Sequence, residues 1–109
     1  MVRVTVCHPQ APYKQDLEVM VDTGCEVELV LSNLEIAALA LPFSNTRQMQ
    51  LADGSIRSVN VYDGVIEWFA ARRPVLVYEA SRGSALIGAR LLKPRTLIVD
   101  YGNGTVEIR

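Results

Sequence analysis

The sequence has little of what most metal, redox and nucleophilic sites are built from. Its 109 residues include one histidine, His8, and two cysteines, Cys7 and Cys25. One imidazole and two thiols fall short of an ordinary zinc ligand set, and His8, lying in a strand-to-proline loop, reads as a surface residue. A Cys–His nucleophile pair is poorly served too. Cys7 and His8 are sequence neighbours, and neighbours along a strand point to opposite faces. Charge of one sign is also missing: 11 Lys and Arg stand against 12 Asp and Glu, a net charge of −1. The basic residues are scattered, with Arg72-Arg73 the nearest thing to a cluster, so nothing calls for nucleic acid or an anionic membrane surface. No apolar run approaches spanning length. The first residues alternate Val2, Val4 and Val6 with Arg3, Thr5 and Cys7, which reads as a strand rather than a signal peptide. Without an export signal, two cysteines point to reduced thiols in a cytoplasmic protein, one disulfide being the weaker option.

What is present is enough for one domain, residues 1–109, in which half the residues are hydrophobic. Met1 leading straight into a strand suggests a free-standing protein. After the strand at 2–7, His8 to Pro12 breaks the ladder, because two prolines remove donors. A second strand from about Tyr13 carries Leu17, Val19 and Val21 on one face and Glu18, Met20 and Asp22 on the other. Val27 to Leu31 reads as a third. Ser32-Asn33-Leu34-Glu35 fits a capping box, opening a nearly all-apolar helix that Pro42 stops and that is expected to pack under the sheet. From Thr46 the pattern is β again. Gln48 to Leu51 and Ser55 to Tyr62 flank the turn Ala52-Asp53-Gly54. Asp63-Gly64 marks a bend or bulge before Val65 to Phe69, and Ala70 to Arg73 turns the chain into Pro74 to Tyr78. Leu86-Ile87-Gly88 is a short apolar strand, followed by a brief helix through Leu92 that Pro94 closes. Thr96 to Asp100 and Thr105 to Ile108 form a last hairpin. The fold class is mostly β, with one full helix and one short helix.

The chain is organised around Val19-Met20-Val21-Asp22-Thr23-Gly24-Cys25. An apolar strand runs into an acid, and Gly24 permits a sharp turn. A carboxylate in such a place is costly to charge if it is buried, and a second carboxylate beside it adds to that cost. It is therefore a candidate for acid–base chemistry, with a plain Asp-x-Gly turn as the alternative.

Taken together, Val21-Asp22-Thr23-Gly24 at a strand end, a hairpin at Asp53-Gly54, and Leu86-Ile87-Gly88-Ala89-Arg90-Leu91-Leu92 opening a short helix resemble the retropepsin-like (clan AA) aspartic peptidases. The likeness is to small free-standing bacterial members and to the retroviral-like domain of DNA-damage-inducible proteins. Two positions depart from the pattern. Cys25, followed by Glu26, stands where Ala or Ser usually follows the Gly, and Ala89-Arg90 stands where an Asp or Asn often follows the second motif.

The resemblance implies a half-barrel acid-protease fold active as a C2 homodimer, with no cofactor or metal. The chemistry needs two adjacent carboxylates that share a proton and hold a water. Since the chain has a single Asp-Thr-Gly, the second must come from another copy. By the same resemblance Asp22 is the catalytic acid. Thr23 would bond its symmetry mate, and Gly24 would let the backbone approach substrate. Ala52, Asp53 and Gly54 would form a flap over a peptide or protein substrate bound as an extended strand, and Ile87 and Gly88 would pack beneath the Asp22 loop. The terminal hairpin or the first strand would supply the dimer interface. The implied activity is that of an aspartic endopeptidase. The departures leave an alternative, a weak or inactive dimer that binds extended peptides, and a plain β-domain in some assembly is a third. Cys25 reads as a small buried side chain, and Glu26 and Glu28 as facing solvent.

Overall fold

Strict alternation makes the first two strands, and their pairing starts the sheet. In the computed structural model, which describes residues 1–50, 53–80, 83 and 85–109, β1 (Val2–Cys7) runs antiparallel to β2 (Lys14–Asp22), with Val4 opposite Leu17 and Val2 opposite Val19. Val4, Val6, Leu17 and Val19 are buried, while Glu18, Met20 and Asp22 are exposed. That is the face division alternation predicts. The His8 loop between them is closed by the His8 Nδ1, which accepts the Gln10 and Ala11 N–H groups at 3.0 and 2.8 Å. His8 is thus half-buried and structural, not simply a surface residue.

After β3 (Leu29–Ser32) comes α1 (Asn33–Ala38), with both halves of the capping box formed. Ser32 Oγ accepts the Glu35 N–H at 3.2 Å, and Glu35 Oε1 accepts the Ser32 N–H at 2.9 Å. The helix is shorter than its apolar run suggests. Of its own residues only Ile36 is buried, Leu34 is 78% exposed, and it is Leu39 and Leu41 beyond its end that enter the core. A six-residue helix presents one narrow stripe, so the remaining apolar positions are left in water.

The other elements are β4 (Phe43–Gln50), β5 (Ile56–Trp68), β6 (Ala71–Ala80), β7 (Leu86–Gly88), α2 (Ala89–Leu92), β8 (Leu97–Asp100) and β9 (Thr105–Ile108). Seven strands lie in the order β1-β2-β7-β3-β6-β5-β4, and β1 also pairs with β5. That extra pairing closes β1, β2, β7, β3, β6 and β5 into a ring and leaves β4 outside it. β5 makes this possible by its length. Along one edge, residues 56–62 pair with β4 and residues 65–67 with β1, while the other edge follows β6 from Val61 to Trp68. Asp63-Gly64 is the point where the partner changes, and β5 does not bulge there against β6. The register shift lies instead in β4, between Phe43 and Asn45. The turn from β5 to β6 also falls earlier than Ala70–Arg73. It is the two-residue loop Phe69-Ala70, with φ of 51° and 64°, and Ala71 to Arg73 already belong to β6. Positive φ at both central residues is what tight hairpins require, though Gly or Asn usually supplies it.

The ring encloses one core, from Val4 and Val6 through Leu29, Leu31, Ile66, Val77 and Ile87 to Leu91. β8 and β9 form a separate hairpin whose Leu97 and Ile108 pack on that core, while Val99 and Tyr101 are exposed.

Candidate active site

Asp22 is the last residue of β2, and the strand beside it fixes its position. β7 lies between β2 and β3, parallel to the first and antiparallel to the second. The register sets Met20 against Leu86, Val21 against Ile87 and Asp22 against Gly88. Ile87 is fully buried beneath this junction. Past Asp22 the chain turns back over β7, and it does so at a separation that only glycine allows. A Cβ on Gly88 would lie 2.0 Å from the Val27 carbonyl oxygen and 2.7 Å from that of Cys25. Backbone atoms cannot rotate away from such a contact. The crossing is locked by hydrogen bonds: Ala89 N–H donates to Cys25 O at 2.7 Å, and Gly88 N–H donates to Glu28 O at 3.0 Å.

On this floor the loop holds its acid in one orientation. Asp22 Oδ1 accepts the Gly24 N–H at 3.0 Å, and the Cys25 N–H donates to the Asp22 backbone oxygen at 3.2 Å. Among the described residues nothing bonds to Asp22 Oδ2 or to the Thr23 hydroxyl. Asp22, Thr23 and Gly24 are all exposed in the single chain. The costly buried acid that the strand pattern allowed is therefore absent from one chain alone, and the carboxylate is presented on an open face.

The β4–β5 hairpin is the loop's other neighbour. Its stem reaches the loop through a small apolar cluster in which Val27, Val61 and Tyr78 are buried, with Cys25, Met49 and Val59 packed against them. Cys25 is only half-buried here. At the tip Gly54 has a φ of 88°, and Asp53 Oδ1 accepts both the Ser55 N–H and its hydroxyl. The Ser55 bonds hold the Asp53 carboxyl below its ordinary value. Ala52 lies outside the described residues. Among those described, no hydrogen bond joins Asp53 or Gly54 to the Asp22 loop. The structure thus brings Asp22, Thr23, Gly24, Ile87 and Gly88 into one unit and leaves the hairpin tip apart from it.

Glu28 does not face solvent. Its Oε1 accepts the Leu76 N–H at 2.9 Å and its Oε2 lies 3.6 Å from Arg73 Nη2. This ties the loop after Asp22 to β6. Sequence reasoning also passed over Arg47 and Tyr78 and read Arg90 only as a departure from the second motif; with Glu26 and Glu28 these three line a cavity beside the loop. The rival thiol chemistry is disfavoured, because Cys7 is buried and its thiol is pushed up by burial and then by Glu67. Both thiols are free, and among the described residues no three His, Cys, Asp or Glu side chains gather as a metal site would need.

No family model and no curated protein matches the chain. Solved structures do. The chain is similar to EIAV protease complexed with the inhibitor HBY-793, at a TM-score of 0.53 and 16% identity over 84% of this chain and 85% of that one. It is likewise similar to the retroviral protease-like domain of Ddi1 from Leishmania major, at a TM-score of 0.52 and 16% identity over 99% of this chain and 87% of that one. The fold is retropepsin-like. In this fold Asp22-Thr23-Gly24 stands at the end of β2, with Asp22 paired to Gly88 of β7.

Proposed function

We propose that the protein is an aspartic endopeptidase that works as a C2 homodimer, with one Asp22 carboxylate from each subunit holding the attacking water. The observation that carries this reading is the exposed, pre-oriented Asp22 on a floor locked by Gly88. One carboxylate oxygen is committed to the loop and the other is open to a partner. A lone exposed carboxylate is a poor catalyst for amide hydrolysis. Two of them across a symmetry axis can share a proton and divide the roles of base and acid. The ionised carboxylate takes a proton from water as its oxygen bonds to the peptide carbonyl carbon, and the protonated one gives its proton to the carbonyl oxygen. The tetrahedral adduct then collapses: the carboxylate that took the water proton gives it to the leaving nitrogen as the C–N bond breaks, and the other takes the proton of an adduct hydroxyl, restoring the pair. The hairpin would lie over a peptide bound as an added strand, its stem already resting on the Val27 cluster. The exposed Val99 and Tyr101 of the terminal hairpin are apolar surface that a second subunit would cover.

Asp22→Asn tests this. It keeps the shape and the Gly24 bond but removes the base, so peptide hydrolysis should fall by about a thousandfold, within the range for loss of acid–base catalysis. The parent should show a bell-shaped pH–rate profile. Undiminished cleavage by the variant would contradict the proposal. Tight binding of extended peptides without any hydrolysis by the parent would select the alternative, a peptide-binding dimer.

A further inference from the structure

The cavity beside the Asp22 loop lies outside the residues assigned to catalysis, and its chemistry is particular. It measures about 180 Å³ and is lined by Glu26, Val27, Glu28, Arg47, Leu76, Tyr78 and Arg90. That is below the roughly 300 Å³ at which sites for drug-sized ligands begin, and it suits a single side chain. Four segments build it: the loop after Asp22, the hairpin stem, β6 and α2. Each is held in place. Arg47 Nη1 donates to the Tyr78 hydroxyl at 2.7 Å, and its guanidinium lies 5.8 Å from the centroid of that ring. Arg90 follows directly on the Gly88-Ala89 backbone that is bonded to the Asp22 loop. Val27, Leu76 and the Tyr78 ring give the cavity apolar walls.

Its charges do not cancel. Both oxygens of Glu28 are engaged, one by the Leu76 N–H and the other by Arg73. Of the remaining groups, the two guanidiniums of Arg47 and Arg90 face one free carboxylate, that of Glu26. A guanidinium has five donors, and Arg47 spends only one on Tyr78. The bond to the Tyr78 hydroxyl holds the guanidinium and pre-orients the others, which lowers the entropy lost when a carboxylate is gripped. Resting on the endopeptidase reading, we propose that this cavity is a specificity subsite that takes an acidic side chain of the peptide substrate, recognised by Arg47 and Arg90. The apolar walls accept the methylene stem and the two arginines take the carboxylate. Because its lining includes Glu26 to Glu28 and Arg90 but none of Asp22 to Gly24, the residue it selects would be displaced along the peptide from the scissile bond.

The test uses the intact protein and a matched set of peptides carrying Glu, Gln or Lys at each position flanking the cleaved bond. The readout is the ratio of kcat/KM for Glu over Lys. At one position away from the bond, Glu should be preferred over Lys by about tenfold, with Gln between. The preference should shrink between about 50 mM and about 500 mM salt, an arm that needs no variant. Arg90→Glu should bring the ratio below one, and Arg90→Lys should keep most of it. No acidic preference at any position, or a ratio that Arg90→Glu leaves unchanged, would overturn the subsite. If no peptide is cut, the endopeptidase reading fails by itself. The same Glu-over-Lys ratio is then read as Kd for fluorescently labelled peptides, and equal affinities there would overturn the subsite as well.

Discussion

The floor beneath Asp22 and the β4–β5 hairpin are built on opposite plans. In the floor, backbone carries the precision. β7 is paired on both edges, Ile87 is fully buried, and Gly88 sits where a single added carbon would meet the Val27 carbonyl at 2.0 Å. In the hairpin nearly everything is exposed. All of β4 except the half-buried Met49 faces solvent, and β4 is the one strand of the seven-stranded sheet left outside the closed ring. The hairpin is held by cross-strand bonds such as Thr46 to Asn60, by the Arg47–Tyr78 contact and, at its stem only, by the small cluster around Val61. On the proposed endopeptidase reading, a firm floor would position the carboxylate and a hairpin with few buried contacts would admit a peptide.

The sharpest way to break that contrast is Gly88→Ala. The new methyl meets backbone that cannot yield, so the cost should reach or exceed the upper end of the roughly 1–3 kcal/mol typical of overpacking, read by denaturant unfolding. A loss under about 1 kcal/mol would mean the crossing is looser than described. Ile56→Ser in the hairpin, where the side chain is 68% exposed, should change stability by less than about 0.5 kcal/mol. If it costs as much as Gly88→Ala, the two regions are not built differently. The smallest effect is at the tip. Asp53 is lowered by its Ser55 bonds, so its contribution to turn order is present above the ordinary aspartate pKa and fades as pH falls through the lowered value. In an NMR pH titration the Ser55 amide should move with an Asp53 carboxyl that titrates below an ordinary aspartate. A carboxyl that titrates at the ordinary value would remove the turn's anchor from the account.

How far each region could be read from sequence follows the same division. The floor was legible because its requirements are local and chemical. An apolar strand ending in Asp-Thr-Gly, and a Leu-Ile-Gly that must thread beneath it, leave marks at single positions. The capping box at Ser32 and Glu35 was legible for the same reason. Features that depend on distant partners were not. Glu28 looked like a solvent-facing charge because Leu76 and Arg73 lie far along the chain. The Phe69-Ala70 turn carries no Gly or Asn. It is seated by a tertiary contact, the Arg95 guanidinium 3.5 Å from the Phe69 ring centroid, and by the neighbouring Trp68, edge-on to the same ring at 5.1 Å. The length of β5 was hidden as well, because Asp63-Gly64 has turn chemistry and its real role, a change of partner on one edge, shows only when β1 and β4 are both in place. The charged cavity brings together Arg47 and Tyr78, 31 residues apart, and no local pattern announces it.

The central claim is that the working site needs one Asp22 from each of two chains. Mixing tests it most directly. Parental and Asp22→Asn subunits are combined at fixed total concentration, allowed to exchange, and assayed for peptide cleavage. If only dimers with two intact carboxylates are active, activity follows the square of the parental fraction, and an equal mixture keeps about a quarter of it. An equal mixture that keeps half, with activity linear in the parental fraction, would show that each chain acts alone and would contradict the account.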